Sequence, residues 1–85
     1  MAITQEQTQR LCRFAGVQPT DAQAVEVLTA CWEQAKQWYK DAGCNPEASG
    51  IETWYMHLAS WFYDNRGRDG ADLPPLIVKS VHHFR

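Results

Sequence analysis

Apolar residues recur along this chain at spacings of three and four, in four separate blocks. In the first block Leu11, Phe14 and Ala15 keep helical spacing, with Thr8 in register. Thr4 and Gln7 have the capping-box form that opens a helix, and Gly16 stands where a left-handed residue ends one. The second block is the cleanest amphipathic pattern. Ala24, Val25, Val27, Leu28, Cys31, Trp32, Ala35, Trp38, Tyr39 and Ala42 occupy less than half the circumference. Gln23, Glu26, Thr29, Glu33, Lys36, Gln37 and Lys40 take the other side. Thr20, with Gln23 three residues on, predicts the cap of this helix, and Gly43 its end; the element would be about 33 Å long. A third helix opens on Ser49 and Glu52, another capping box, and closes near Gly67. Pro75 suits the first turn of a fourth, whose apolar face draws on Leu76, Ile77, Val78, Val81 and Phe84. No segment alternates as a strand would. The pattern predicts an all-α fold, a small four-helix bundle with helices over about 5–15, 21–42, 51–66 and 75–83, as a single domain spanning 1–85.

The third block, Ile51 to Arg66, is the most aromatic. Ile51, Trp54, Tyr55, Leu58, Trp61 and Phe62 fall within about a third of a turn at about 100° per residue. Met56, Ala59 and Tyr63 widen the apolar arc past half the circumference. A stripe of roughly 100° is enough to dock a helix on one core. So wide an arc leaves two readings: the helix is central in the bundle, or it packs on its own domain and also on another subunit. Four Trp, three Tyr and three Phe are a heavy load for 85 residues. Each ring can bury about 150–250 Å², and a domain whose whole stability is of the order of 4–13 kcal/mol has a small core. Some rings are therefore expected outside it, with Trp38 and Tyr63 the leading candidates.

The charge balance, eight Lys/Arg against ten Asp/Glu with no basic run, weighs against nucleic-acid binding as the main activity. No segment approaches the length of a membrane span, and MAITQEQTQR lacks a signal-peptide core, so a cytosolic chain is expected. Cys12, Cys31 and Cys44 show no metal-ligand spacing. The first two fall on apolar helical faces and are expected buried; Cys44, just past the second helix, is expected nearer the surface.

Candidate chemistry is sparse. His57 projects from the polar side of the aromatic helix with no nucleophile placed beside it. His82 and His83 are adjacent, so they point about 100° apart and suit a helix C-terminus better than a shared metal. No HExxH, Walker loop or GxGxxG occurs. The polar stretch Asp64–Asp72 does not match a calcium loop. Its Arg66 and Arg68 with nearby glycines could grip an anion, but three Asp in the same stretch nearly cancel them. It is either a solvated loop or, given its length in so small a domain, a functional one.

Taken in order, several stretches resemble the head–tail connector family of tailed bacteriophages and prophages, the small helical head-completion adaptors. They are Ile3-Thr4 with Leu11 and Phe14, then Ala35, Trp38 and Tyr39 before Gly43. Next comes Leu58-Ala59-Ser60-Trp61-Phe62-Tyr63-Asp64-Asn65-Arg66, and finally Leu73-Pro74, a short apolar helix and Phe84-Arg85. The most specific part is the hydrophobic helix ending in Tyr-acid-Asn-Arg; Trp61 stands where related sequences often carry a polar or small residue. The resemblance implies a structural adaptor, not an enzyme and without a cofactor. It would assemble as a ring of typically twelve copies beneath the portal protein of the virion, at the head–tail junction, after synthesis in the host cytoplasm. That ring would extend the DNA channel, lie close to packaged DNA without reading it, and dock a downstream head-completion or tail protein. The expected contact residues between subunits or with partners are Trp38, Trp61, Tyr63, Asn65, Arg66, Arg68 and Asp69. The competing reading is a small regulatory or antitoxin-like helical protein that binds one partner protein. A helix-turn-helix DNA reader is weak, because the polar face of the second helix mixes Glu, Gln and Lys.

Overall fold

A computed structural model describes residues 4–65 and 72–85. It contains four helices, α1 (Gln5–Ala15), α2 (Ala22–Asp41), α3 (Ile51–Asp64) and α4 (Pro75–Phe84), and no strand among the described residues. The all-α bundle expected from the apolar periodicity is thus the fold, with helix boundaries within two residues of those read from the sequence.

Local chemistry sets the helix ends. Thr4 and Gln7 form the complete capping box at α1: the hydroxyl accepts from the Gln7 N–H at 3.1 Å, and the amide Oε1 accepts from the Thr4 N–H at 3.0 Å. Gly16, at φ 75°, ends α1 in the left-handed region that a side chain would disfavour. The other two caps differ from expectation. Asp21, not Thr20, caps α2, its Oδ1 accepting from the Ala24 N–H at 3.2 Å. A carboxylate there also meets the positive end of the helix dipole. At α3 the chain turns through Gly50 at φ 86°, which takes the cap position and leaves Ser49 one residue outside it; no side chain caps this helix.

α3 is the centre of the bundle. It packs against α1, α2 and α4, most extensively against α2. Trp32 meets Tyr55 edge-on at 5.6 Å between ring centres, and Tyr39 meets the same Tyr55 at 5.6 Å. Tyr63, at the other end of α3, shares a pocket with Asp21 and Val27 at the start of α2, so the two helices run antiparallel. The core is built from Leu11 and Cys12 of α1, Leu28, Trp32, Ala35 and Tyr39 of α2, and Ile51, Tyr55, Met56, Leu58 and Ala59 of α3. Ile77, Val81 and Phe84 of α4 close it. The breadth of the apolar arc on α3 follows from this central place. The arc is rotated from expectation, however: Met56 and Ala59 are fully buried, whereas Trp54 and Phe62 are only half-buried.

The C-terminal end of α4 is tied to the end of α2. The Asn45 N–H donates to the Phe84 carbonyl at 2.8 Å, and Arg85 Nε donates to the Ala42 carbonyl at 3.3 Å. Cys44 lies beneath this junction, buried, with its thiol 3.7 Å from the Val81 carbonyl, and not at the surface. The 3.7 Å contact to sulfur is a weak bond. Burial follows because the turn after Gly43 folds back under α4.

Candidate subunit interface

Four large apolar side chains stand well exposed among the described residues: Phe14 at 45%, Val27 at 41%, Leu76 at 70% and Val78 at 47%. Two of them converge. Phe14 from the end of α1 and Leu76 from the start of α4 line one groove of about 310 Å³, whose floor is Trp54 and Trp61 of α3, with Pro74 and Ile77 on the α4 side. His57 and Asp64 form its polar rim. His57 is held between rings, edge-on to Phe14 at 4.6 Å and tilted against Trp54 at 5.2 Å. Trp61 and Phe62 meet at 5.7 Å. Three helices thus supply one aromatic concavity that the other described residues do not fill.

The groove gathers only part of the expected contact set. Trp61 is in it; Tyr63 is half-buried and faces the start of α2. Trp38 is half-buried with its ring edge-on to Tyr39 at 4.9 Å, at the opposite end of the α2–α3 pair. Asn65 is engaged within the chain, where its Nδ2 donates to the Trp61 carbonyl at 2.8 Å and so caps α3. Arg66, Arg68 and Asp69 lie outside the described residues.

Periodicity places Phe14 and Leu76 on buried faces, and the structure corrects both. On α4 the buried stripe is Ile77, Ser80, Val81 and Phe84. Three consecutive apolar residues, Leu76-Ile77-Val78, cannot all sit on one stripe when each step turns about 100°, and that is the signal the sequence offers. Phe14 is displaced because α1 presents Leu11 and Cys12 to the core instead.

Elsewhere, a second cavity of about 500 Å³ lies among Trp32, Lys36, Ile51, Glu52 and Tyr55. Trp32 Nε1 and Glu52 Oε1, both buried atoms on residues that line it, lack a hydrogen-bond partner. Arg10 Nη1 approaches Glu52 Oε1 to 3.6 Å, close enough for an ion pair but too far for a hydrogen bond. No group of three or more His, Cys, Asp or Glu among the described residues could hold a metal ion, and no described helix is long and apolar enough to cross a membrane. His82 and His83 are exposed at the end of α4. Comparison with protein-family models, curated proteins and solved structures found no match to this chain.

Proposed function

We propose that this chain is a structural adaptor of the head–tail connector type, assembling as a ring under the portal of a tailed phage or prophage. In that place it would continue the DNA channel and dock a downstream head-completion or tail protein. The observation that carries the reading is a coincidence of position. Within the stretch that resembles the connector family, the described part from Leu58 to Asn65 holds Trp61 and Asp64, which line the aromatic groove. Exposed aromatic concavities are characteristic of protein–protein hot spots. A heterologous contact repeated around an axis closes a ring when its rotation divides the circle, and such a contact needs two different faces per subunit. Net charge −2 suits a channel through which DNA slides without sticking.

The deciding experiment is co-expression with a portal protein from the same genome, followed by purification and electron microscopy of the complex. A closed ring of this chain seated on one end of the portal is expected. A chain that neither binds the portal nor forms a ring would sink the adaptor reading.

A further inference from the structure

We infer that the cleft between α1 and the first half of α3 binds an organic oxyanion, a carboxylate or phosphate carried on an apolar body, through Arg10, Arg13 and Thr53. This site goes beyond the adaptor reading and does not depend on it.

Helix geometry brings the two guanidinium groups together. Arg10, Arg13 and Phe14 stand three and four residues apart on α1, so they share one face. Thr53 and Met56, three apart on α3, line the same cleft, whose volume is about 320 Å³. Sites for small molecules run from roughly 300 to 1,000 Å³. Met56 is buried and gives the cleft an apolar floor, and Phe14, 45% exposed, gives it an apolar wall. That wall is set in advance, because the Phe14 ring packs edge-on against His57 at 4.6 Å. Met56 and Thr53 stand roughly 12–16 Å along α3 from its C-terminal end at Asp64.

The polar groups around the cleft are of one kind. A guanidinium carries five N–H donors and no acceptor, and a threonine hydroxyl can donate. Arg13 has no ion-pair partner among the described residues, and the Thr53 hydroxyl bonds to none of them. Arg10 Nη1 approaches Glu52 Oε1 to 3.6 Å, which orients the guanidinium and leaves Nε and Nη2 for a ligand. Glu6, one turn before Arg10 on the same face, forms no ion pair with either arginine. Like charges one turn apart on a helix repel. An anion shared between Arg10 and Arg13 removes that repulsion, and the planar fork of arginine matches carboxylate and phosphate oxygens. The Met56 floor and the Phe14 wall supply the second half of the recognition, which a bare inorganic ion leaves unused.

An NMR titration of the backbone amides of the full-length chain at low ionic strength tests this, with benzoate, phenyl phosphate, inorganic phosphate and neutral benzamide as probes. Benzoate or phenyl phosphate is expected to saturate with a Kd of about 1 mM, with the shifts centred on Arg10, Arg13, Phe14 and Thr53. Inorganic phosphate is expected to bind at least about threefold more weakly, and benzamide about tenfold more weakly. Arg13→Gln is expected to weaken binding about tenfold, Arg13→Lys by less, and Arg10→Gln with Arg13→Gln to abolish it. Both arginines are exposed, so the variants keep the fold, which circular dichroism checks. No saturation by either organic anion up to about 20 mM overturns the site. So do shifts that persist in the double variant, or benzamide binding as tightly as benzoate. Inorganic phosphate binding as tightly as phenyl phosphate overturns the apolar half of the recognition.

Discussion

The phenolic oxygen of Tyr39 lies 2.7 Å from Ser80 Oγ, in the interior between α2 and α4. Ser80 has one hydroxyl proton, and its Oγ is 2.6 Å from the Ile77 carbonyl, which can only accept. The Tyr39 hydroxyl is therefore the donor to Ser80, and Ser80 the donor to Ile77. Both side chains are buried, Tyr39 completely. α4 is only ten residues long, and this relay and the bonds from Asn45 and Arg85 fix where it docks.

Tyr39→Phe keeps the ring and removes the donor, leaving a buried Ser80 oxygen without it. The expected loss is about 1–2 kcal/mol of unfolding free energy by urea titration. Ser80→Ala strands the tyrosine proton and is expected to cost about 1–3 kcal/mol. Removing both partners should cost clearly less than the sum, because neither then leaves an orphan. Strict additivity in this cycle would mean that the two hydroxyls do not act as a pair.

Alkaline conditions should unfold the domain through its buried acids. Burial pushes Tyr39 above its ordinary 10.0, although the hydrogen bond with Ser80 pulls the other way. Burial raises Tyr55 from 10.0 as well, with Cys44 adding to it. The Cys12 and Cys44 thiols are raised from 9.0 by burial, opposed at Cys44 by the charge of Arg85. A raised value means that the unfolded chain releases these protons first. Stability is then fully present below about pH 9 and falls as pH climbs past 9 and 10. Unfolding free energy measured across pH 7–11 should decline on that schedule, with tyrosinate absorbance rising together with loss of helix. Early ionisation of Tyr39 and Tyr55 in a still-helical chain would contradict it.

The helices are legible in the sequence because their punctuation is local. Gly16 ends α1 and Pro75 begins α4 through backbone preferences that need no neighbour. The candidate interface is not legible in the same way. Its groove joins Phe14, Trp54, Trp61 and Leu76 from three helices, and no spacing along the chain announces that they meet. Trp61 stands out because it sits in the family-like stretch, whereas Phe14 and Leu76 look like ordinary core positions until tertiary packing chooses which stripe of each helix to cover. Cys44 escapes a local reading for a related reason: a turn reads as surface unless another element lies over it.

The caps offer a direct comparison of local rule and observed geometry. Asp21→Ala should cost about 1 kcal/mol, since it deletes the acceptor for the Ala24 N–H. Thr20→Ala and Ser49→Ala should each fall within about 0.5 kcal/mol of wild type, because neither side chain caps a helix. Gly50→Ala meets open space but must hold φ 86°, so its expected cost of about 1–2 kcal/mol is conformational. Thermal unfolding of the four variants side by side tests the assignment; a Ser49→Ala loss equal to that of Asp21→Ala would restore the capping box at α3.

Asn65 is the residue for which family resemblance and geometry give different roles. Resemblance makes it a contact between subunits or with a partner, whereas the structure gives its side chain the Trp61 carbonyl at 2.8 Å, with its own backbone N–H on the same oxygen at 3.0 Å. Asn65→Ala is therefore expected to lower the unfolding free energy of the chain by about 0.5–1.5 kcal/mol at concentrations where it does not associate. Asn65→Asp should cost more, about 1–2 kcal/mol, because an ionised carboxylate cannot donate and lies at the negative end of α3. Acidification returns a proton to that side chain, so the gap between the Asp variant and wild type should narrow as pH falls through the carboxylate range. Both variants leave Asp64 and the apolar groove in place, and self-association should follow the loss of stability only where part of the chain is unfolded. Unchanged stability together with lost association would assign Asn65 to the interface and remove its role as the cap of α3.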